Sequence, residues 1–138
     1  MERTLIILKP DAIQRRLIGR LIQRFEEKGL AAVGLKLMRI PRDLAERHYA
    51  PHKGKPFYSG LIDYITSGPV VVMVLQGDNA IKQNRDLMGQ TDPAKAEAGT
   101  IRKAHGTNIE FNAVHGSDSP ETAQFEISYF FPRMEIFE

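Results

Sequence analysis

Pro69-Val70-Val71-Val72-Met73-Val74-Leu75 is the stretch whose reading decides the fold. Apolar side chains follow Pro69 without a polar break, and a strand with one wet face would alternate instead. An uninterrupted, β-branched run of this length predicts a central strand buried on both faces. Something must therefore cover each side. Leu5-Ile6-Ile7-Leu8, closed by Lys9-Pro10-Asp11, has the same character and reads as a second buried strand, which sets Lys9 at a strand's end.

Working outward, Leu17/Leu21 and Ile18/Ile22/Phe25 recur at helical spacing, with Arg20, Arg24 and Glu27 on the other face. This predicts a helix over 17–28, stopped by Gly29. Val33, Leu35 and Leu37 alternate with Gly34, Lys36 and Met38, so residues 30–40 read as a strand ending before Pro41. Residues 41–68 read as two short helical segments, carrying Leu44/Tyr49 and Phe57/Leu61/Ile65, with a break at Pro51-His52-Lys53-Gly54-Lys55-Pro56. Residues 79–89 suggest a helix capped by Asp78 or Asn79. Residues 90–107, rich in Pro, Gly and polar side chains, suggest a loop long enough to carry function. A short strand near 112–115 precedes Ser119-Pro120-Glu121, an N-cap with proline at the first helical position. The last helix carries Ala123, Ile127 and Phe130 on one face. The order implies an α+β class: a ferredoxin-like βαββαβ sandwich with a four-stranded antiparallel sheet, a helical insertion and a C-terminal helix, forming one domain over 1–138. That topology names no function.

Composition removes several function classes. With 42% hydrophobic and 26% charged residues the chain has ordinary globular balance and is too apolar for disorder. Its 19 Lys+Arg against 17 Asp+Glu leave a formal charge of only +2, so the sequence pI of about 9.0 overstates its attraction for nucleic acid. The absence of cysteine excludes disulfides, thiolate zinc sites and thiol catalysis, and suits a reducing compartment. The first apolar run is too short for a membrane span and no small-residue cleavage site follows it, so the expectation is a cytoplasmic enzyme without membrane contact.

The common nucleotide and hydrolase signatures are missing: no phosphate-loop glycine pattern, no dinucleotide glycine pattern, no serine elbow and no zinc helix. His48 and His52 are spaced like a helical metal pair, but Pro51 breaks the turn that would align them, which favours a surface or packing role. His105 lies in the polar stretch with no evident partner. His115 ends a strand and is followed by Gly116-Ser117-Asp118-Ser119, which leads straight into a helix N-terminus where unpaired N–H groups attract anions. Taken alone, the same context suits a strand-end histidine hydrogen-bonded to a turn. Lys9, Arg85, Thr91 and Arg102 are polar donors spread along the chain, and together they could form a cationic cup for a polyphosphate. Phosphoryl transfer requires little more than positioning and charge neutralisation.

Glu2-Arg3-Thr4 leading to Lys9-Pro10-Asp11, then Ser67-Gly68-Pro69-Val70, Gly99-Thr100-Ile101-Arg102 and Asn112-x-x-His115-Gly116-Ser117-Asp118-Ser119 together resemble the nucleoside diphosphate kinase family from end to end. The resemblance implies a ping-pong reaction in which a nucleoside triphosphate gives its γ-phosphoryl group to His115, which passes it to a nucleoside diphosphate. By matching position, Lys9, Tyr49, Arg85, Thr91, Arg102 and Asn112 would hold phosphates and ribose. Phe57 would stack on the base, with Leu61 and Ile109 nearby. Stacking reads a π-face that every base offers, which implies broad base tolerance. Ser117 and Glu126 would orient the imidazole. Mg2+ would be held by the nucleotide's phosphates and waters, with no dedicated protein ligand. Family likeness also implies a homo-oligomer built from dimers, a hexamer through the loop carrying Pro93 being favoured over a tetramer. Two departures stand out. Arg16 occupies a position where the family often has glycine, and Lys103-Ala104-His105-Gly106 replaces a small-acidic-aromatic run.

Two rival readings share the topology. An RNA-recognition-like module fits the pI, but its sheet needs exposed aromatics for base stacking, and Leu5 to Leu8 and Val70 to Leu75 contain none. A small-molecule regulatory domain would need no nucleophile. Both leave His115 inert.

Overall fold

The structure, a computed structural model, describes residues 1–137. Four strands, β1 (Glu2–Leu8), β2 (Ala31–Met38), β3 (Val70–Gly77) and β4 (Val114–Gly116), form one sheet in the order β2-β3-β1-β4, each neighbouring pair antiparallel. Between them run the helices α1 (Pro10–Gln14), α2 (Ile18–Glu27), α3 (Arg42–His48), α4 (Tyr58–Ile65), α5 (Ala80–Met88), α6 (Ile101–His105) and α7 (Pro120–Phe130). Three 3-10 turns lie at Ala50–His52, Pro93–Lys95 and Arg133–Glu135.

The central run behaves as its composition dictates. Val71, Met73 and Leu75 enter one core with Ile6 and Leu8, under Leu21 and Phe25 of α2 and Leu87 and Met88 of α5. Val70, Val72 and Val74 enter the other with Leu5 and Ile7, against Ala45 of α3, Ile62 and Ile65 of α4 and Phe130 of α7. The pleat sends successive residues to opposite layers, and each buried Val, Leu or Ile contributes about 1.5–3 kcal/mol.

Four elements differ from the sequence reading. A register shift between Ala32 and Gly34 turns Leu35 and Leu37 outward on the edge strand, where they are 52% and 63% exposed, while Val33 stays inside. The α5 N-terminus is not capped by Asp78 or Asn79: Asn79 is left-handed and makes no side-chain cap, and Glu2 Oε1 accepts from Ile81 N at 2.9 Å instead. Asp11 belongs to the short helix α1, which the sequence pattern did not suggest. The 90–107 stretch is not a structureless loop, because Thr100 caps α6 by accepting from Lys103 N, so Arg102 is helical. Arg16 has φ 57°, a left-handed conformation that glycine adopts without steric cost, which accounts for the glycine common there in the family it resembles.

Candidate active site

Sheet register places the central histidine. His115 on β4 lies directly opposite Ile7 on β1, so the two side chains share a face, the one covered by α3 and α7. From α7, Glu126 reaches back, and His115 Nε2–H donates to its Oε1 at 3.0 Å. The same oxygen accepts from Ser117 Oγ at 2.7 Å, and Ser117 in turn accepts from Leu5 N at 3.2 Å. Glu126 is thus fixed by two donors inside a nearly closed site, its side chain 7% exposed against 23% for His115. With Nε2 engaged, Nδ1 is the nitrogen available to a phosphorus atom. The α7 N-terminus contributes less than its sequence suggested, since Ser119 Oγ takes the Thr122 N–H and Pro120 has none to offer.

The strand carrying His115 is held tightly. Gly116 beside it has no room for a side chain, because a Cβ would collide with Asn84 Nδ2 and sit 2.8 Å from Met88 Cε on α5. Ala113 has φ 74°, a conformation that costs a non-glycine residue on the order of 1–2 kcal/mol. It is pinned by hydrogen bonds from its N–H to Asp11 Oδ2 and from Lys9 N–H to its carbonyl. Tyr64 donates its hydroxyl to Asp11 Oδ1. The strained backbone turns Asn112 toward Lys9, whose Nζ donates to Asn112 Oδ1 at 2.9 Å, while Asn112 Nδ2 donates to the Thr91 carbonyl at 3.1 Å.

Around these groups cations converge. Lys9 is almost fully buried, and burial followed by the charge of Arg102 lowers its pKa to about 8. Arg102 donates to the carbonyls of Gly89 and Val114 at 3.0 and 2.9 Å, and its buried Nε has no partner among the described residues. Burial followed by the charge of Arg85 lowers its pKa to about 10. Two cations that disfavour each other in a partly dry site make a strong attractor for a polyanion.

An aromatic row leads outward from His115. His48 packs edge-on against it with ring centroids 4.5 Å apart, Tyr49 lies against His48, His52 against Tyr49, and Phe57 against His52 at 5.4 Å. Phe57, which stands just before α4, is half exposed. Leu61 is partly buried against the same core as Tyr49, and Ile109 is 59% exposed on the approach to β4. Burial pushes the Tyr49 phenol pKa up, with the Glu126 charge adding to it, so Tyr49 remains a neutral donor.

Ligand atoms of His48, His115 and Glu126 lie within 4.8 Å of one another, a set that could hold a metal ion and that the sequence reading did not foresee. Glu126 Oε1 is already engaged by His115 and Ser117, and both Asp11 oxygens are engaged by Ala113 and Tyr64.

Comparison with known proteins shows the family. The family described as nucleoside diphosphate kinase matches residues 2–136.

The chain belongs to the nucleoside diphosphate kinase family.

As a member of it, the protein is a nucleotide-binding phosphotransferase. The nucleoside diphosphate kinase of Thermomicrobium roseum is 58% identical over 136 residues, covering 99% of this chain and 91% of that one. That of an Anaeromyxobacter strain is 54% identical over 136 residues, covering 99% and 92%. Among solved structures, the Halobacterium salinarum nucleoside diphosphate kinase in complex with CDP superposes with a TM-score of 0.97 at 47% identity, covering 99% of this chain and 91% of that one. The Aquifex aeolicus nucleoside diphosphate kinase gives 0.94 at 42%, covering 98% of each. Among the described residues no helix is long and apolar enough to cross a membrane.

His48 is the site residue that sequence reasoning assigned elsewhere. α3 ends at His48 and a 3-10 turn carries Pro51 and His52, so the two histidines do not share one continuous helix. Yet Leu44, Ala45, His48 and Tyr49 share an inward helical face, a signal that His48 points into the fold.

Proposed function

We propose that the protein transfers the γ-phosphoryl group of a nucleoside triphosphate to a nucleoside diphosphate by a ping-pong mechanism through a phosphohistidine at His115. The observation that carries this reading is the His115 ring, partly exposed and tied by Nε2 to Glu126, on the strand whose neighbouring backbone is held by Lys9 and Arg102. In the first half-reaction the Nδ1 lone pair attacks the γ-phosphorus, the bond from that phosphorus to the bridging oxygen breaks, and the nucleoside diphosphate leaves with the electron pair. The Nε2 proton stays on the hydrogen bond to Glu126, whose negative charge stabilises the positive charge that develops on the ring. In the second half-reaction a terminal oxygen of an incoming nucleoside diphosphate attacks the same phosphorus, and Nδ1 leaves as a neutral imidazole.

Lys9, Arg85 and Arg102 neutralise the phosphates, Tyr49 and Thr91 donate to them, and Asn112 with Lys9 holds the sugar hydroxyls. Phe57 stacks on the base beside Leu61 and Ile109, and Ser117 keeps Glu126 oriented. Mg2+ fits this site as a charge-neutralising partner of the nucleotide phosphates. The same reading makes the chain a single domain and a subunit of a homo-oligomer of dimers, hexameric by preference, working in the cytoplasm.

Steady-state kinetics with ATP and a second nucleoside diphosphate test the mechanism. Ping-pong transfer gives parallel double-reciprocal lines; intersecting lines mean that both nucleotides bind together and no phosphoenzyme mediates.

A further inference from the structure

His48 has no part in the scheme above, yet it is a buried polar side chain in direct contact with the proposed nucleophile. Its side chain is 3% exposed, its ring stands at 84° to that of His115 with centroids 4.5 Å apart, and its Nδ1 lies 3.7 Å from Glu126 Oε2. The same Nδ1 is hydrogen-bonded to the Tyr129 hydroxyl at 3.2 Å. Glu126 therefore offers one oxygen to His115 and Ser117 and faces His48 with the other.

We propose that His48 is a positioning residue: anchored by Tyr129 and laid edge-on against His115, it closes the free side of Glu126 to water and leaves that carboxylate to His115 and Ser117. His115 is thereby held in the tautomer with the proton on Nε2 and the lone pair on Nδ1. The groups facing His48 are His115 from β4, Glu126 and Tyr129 from α7, Lys9 after β1, His52 from the 3-10 turn and the neighbouring Tyr49. Burial, then the charges of His115, Lys9 and His52, hold the His48 pKa well below its ordinary value, so the ring stays neutral. A charged His48 would compete for Glu126 and loosen the nucleophile.

The inference rests on His115 being the phosphoryl acceptor, and the test keeps the two apart. The His115 tautomer is read by nitrogen-15 NMR on the free protein, while phosphoenzyme formation is timed separately in single-turnover mixing with ATP and magnesium. An enzyme of native sequence that never forms phosphohistidine sinks the mechanism without touching the tautomer comparison. His48→Leu fills the space without hydrogen bonds, whereas His48→Asn sets an amide close to where Nδ1 sits. We expect His48→Leu to slow phosphoenzyme formation at saturating ATP roughly ten-fold with KM unchanged, and to give mixed His115 tautomers. His48→Asn should recover most of the rate and the single tautomer. Tyr129→Phe removes only a hydroxyl from a half-buried ring; it should lower the rate about three-fold and move the His48 ring signals. The proposal is overturned if Leu and Asn variants lose equally while His115 keeps its Nε2–H tautomer, or if Tyr129→Phe leaves both the rate and the His48 signals unchanged.

Discussion

His115 Nε2 lies 3.0 Å from Glu126 Oε1, and among the described residues no lysine or arginine pairs with that carboxylate. An unneutralised, nearly buried carboxylate at this distance favours a ring that becomes positive as its other nitrogen bonds to phosphorus. Glu126→Gln keeps the shape and removes the charge, so kcat should fall on the order of 10²-fold with KM for the nucleotides little changed. Circular dichroism and thermal unfolding should show a folded protein. A variant with native kcat would remove Glu126 from the mechanism.

Lys9 gives the account its pH dependence. With a folded pKa of about 8 in the free enzyme, it loses its charge as pH rises through that value, and KM for a triphosphate should climb above pH 8. Lys9→Arg should flatten the climb, since arginine keeps its charge across this range. Stability has the opposite sign. The unfolded chain binds the proton that folded Lys9 has released, so its destabilising contribution is full below about pH 8 and is relieved between there and 10.5. Denaturant midpoints of the native sequence should rise over that window relative to Lys9→Met; parallel profiles would contradict the buried cation.

Arg102 and Lys103 are adjacent on α6 but differ in burial, Arg102 being 6% exposed and Lys103 solvated. Arg102→Ala should raise KM for triphosphates by about 10- to 100-fold through loss of charge-assisted hydrogen bonds, and Lys103→Ala by no more than about two-fold. Equal losses would show that the cationic cup is wrongly assigned.

Phe57→Ala should impair ATP, GTP, CTP and UTP alike, by roughly 5- to 100-fold in KM, because stacking is tolerant of base identity. Selective loss of one base would mean that edge recognition, not stacking, holds the nucleotide.

Much of this was legible before the fold. Val70 to Leu75 could only be a doubly covered strand, and Ser119-Pro120 could only open a helix, because each pattern has one cheap backbone solution. Arg102 was misread as a loop residue, since five residues of helix between glycines show barely one period of pattern. Leu35 and Leu37 misled for a different reason: alternation survives a bulge but the face it marks is reversed. The partnership of His48 with His115 depends on how α3 and α7 cover one face of the sheet. No local spacing encodes that, so the residue could be seen as inward-facing but not as a neighbour of the nucleophile.

The central claim is tested most directly by mixing the protein with γ-labelled ATP and magnesium, then denaturing it. The account predicts label that survives alkali, is lost in acid, chases onto added nucleoside diphosphate and is absent from His115→Gln. Transfer of label to nucleoside diphosphate by His115→Gln at the native rate, or a native protein that phosphorylates the acceptor without ever carrying label itself, would contradict it.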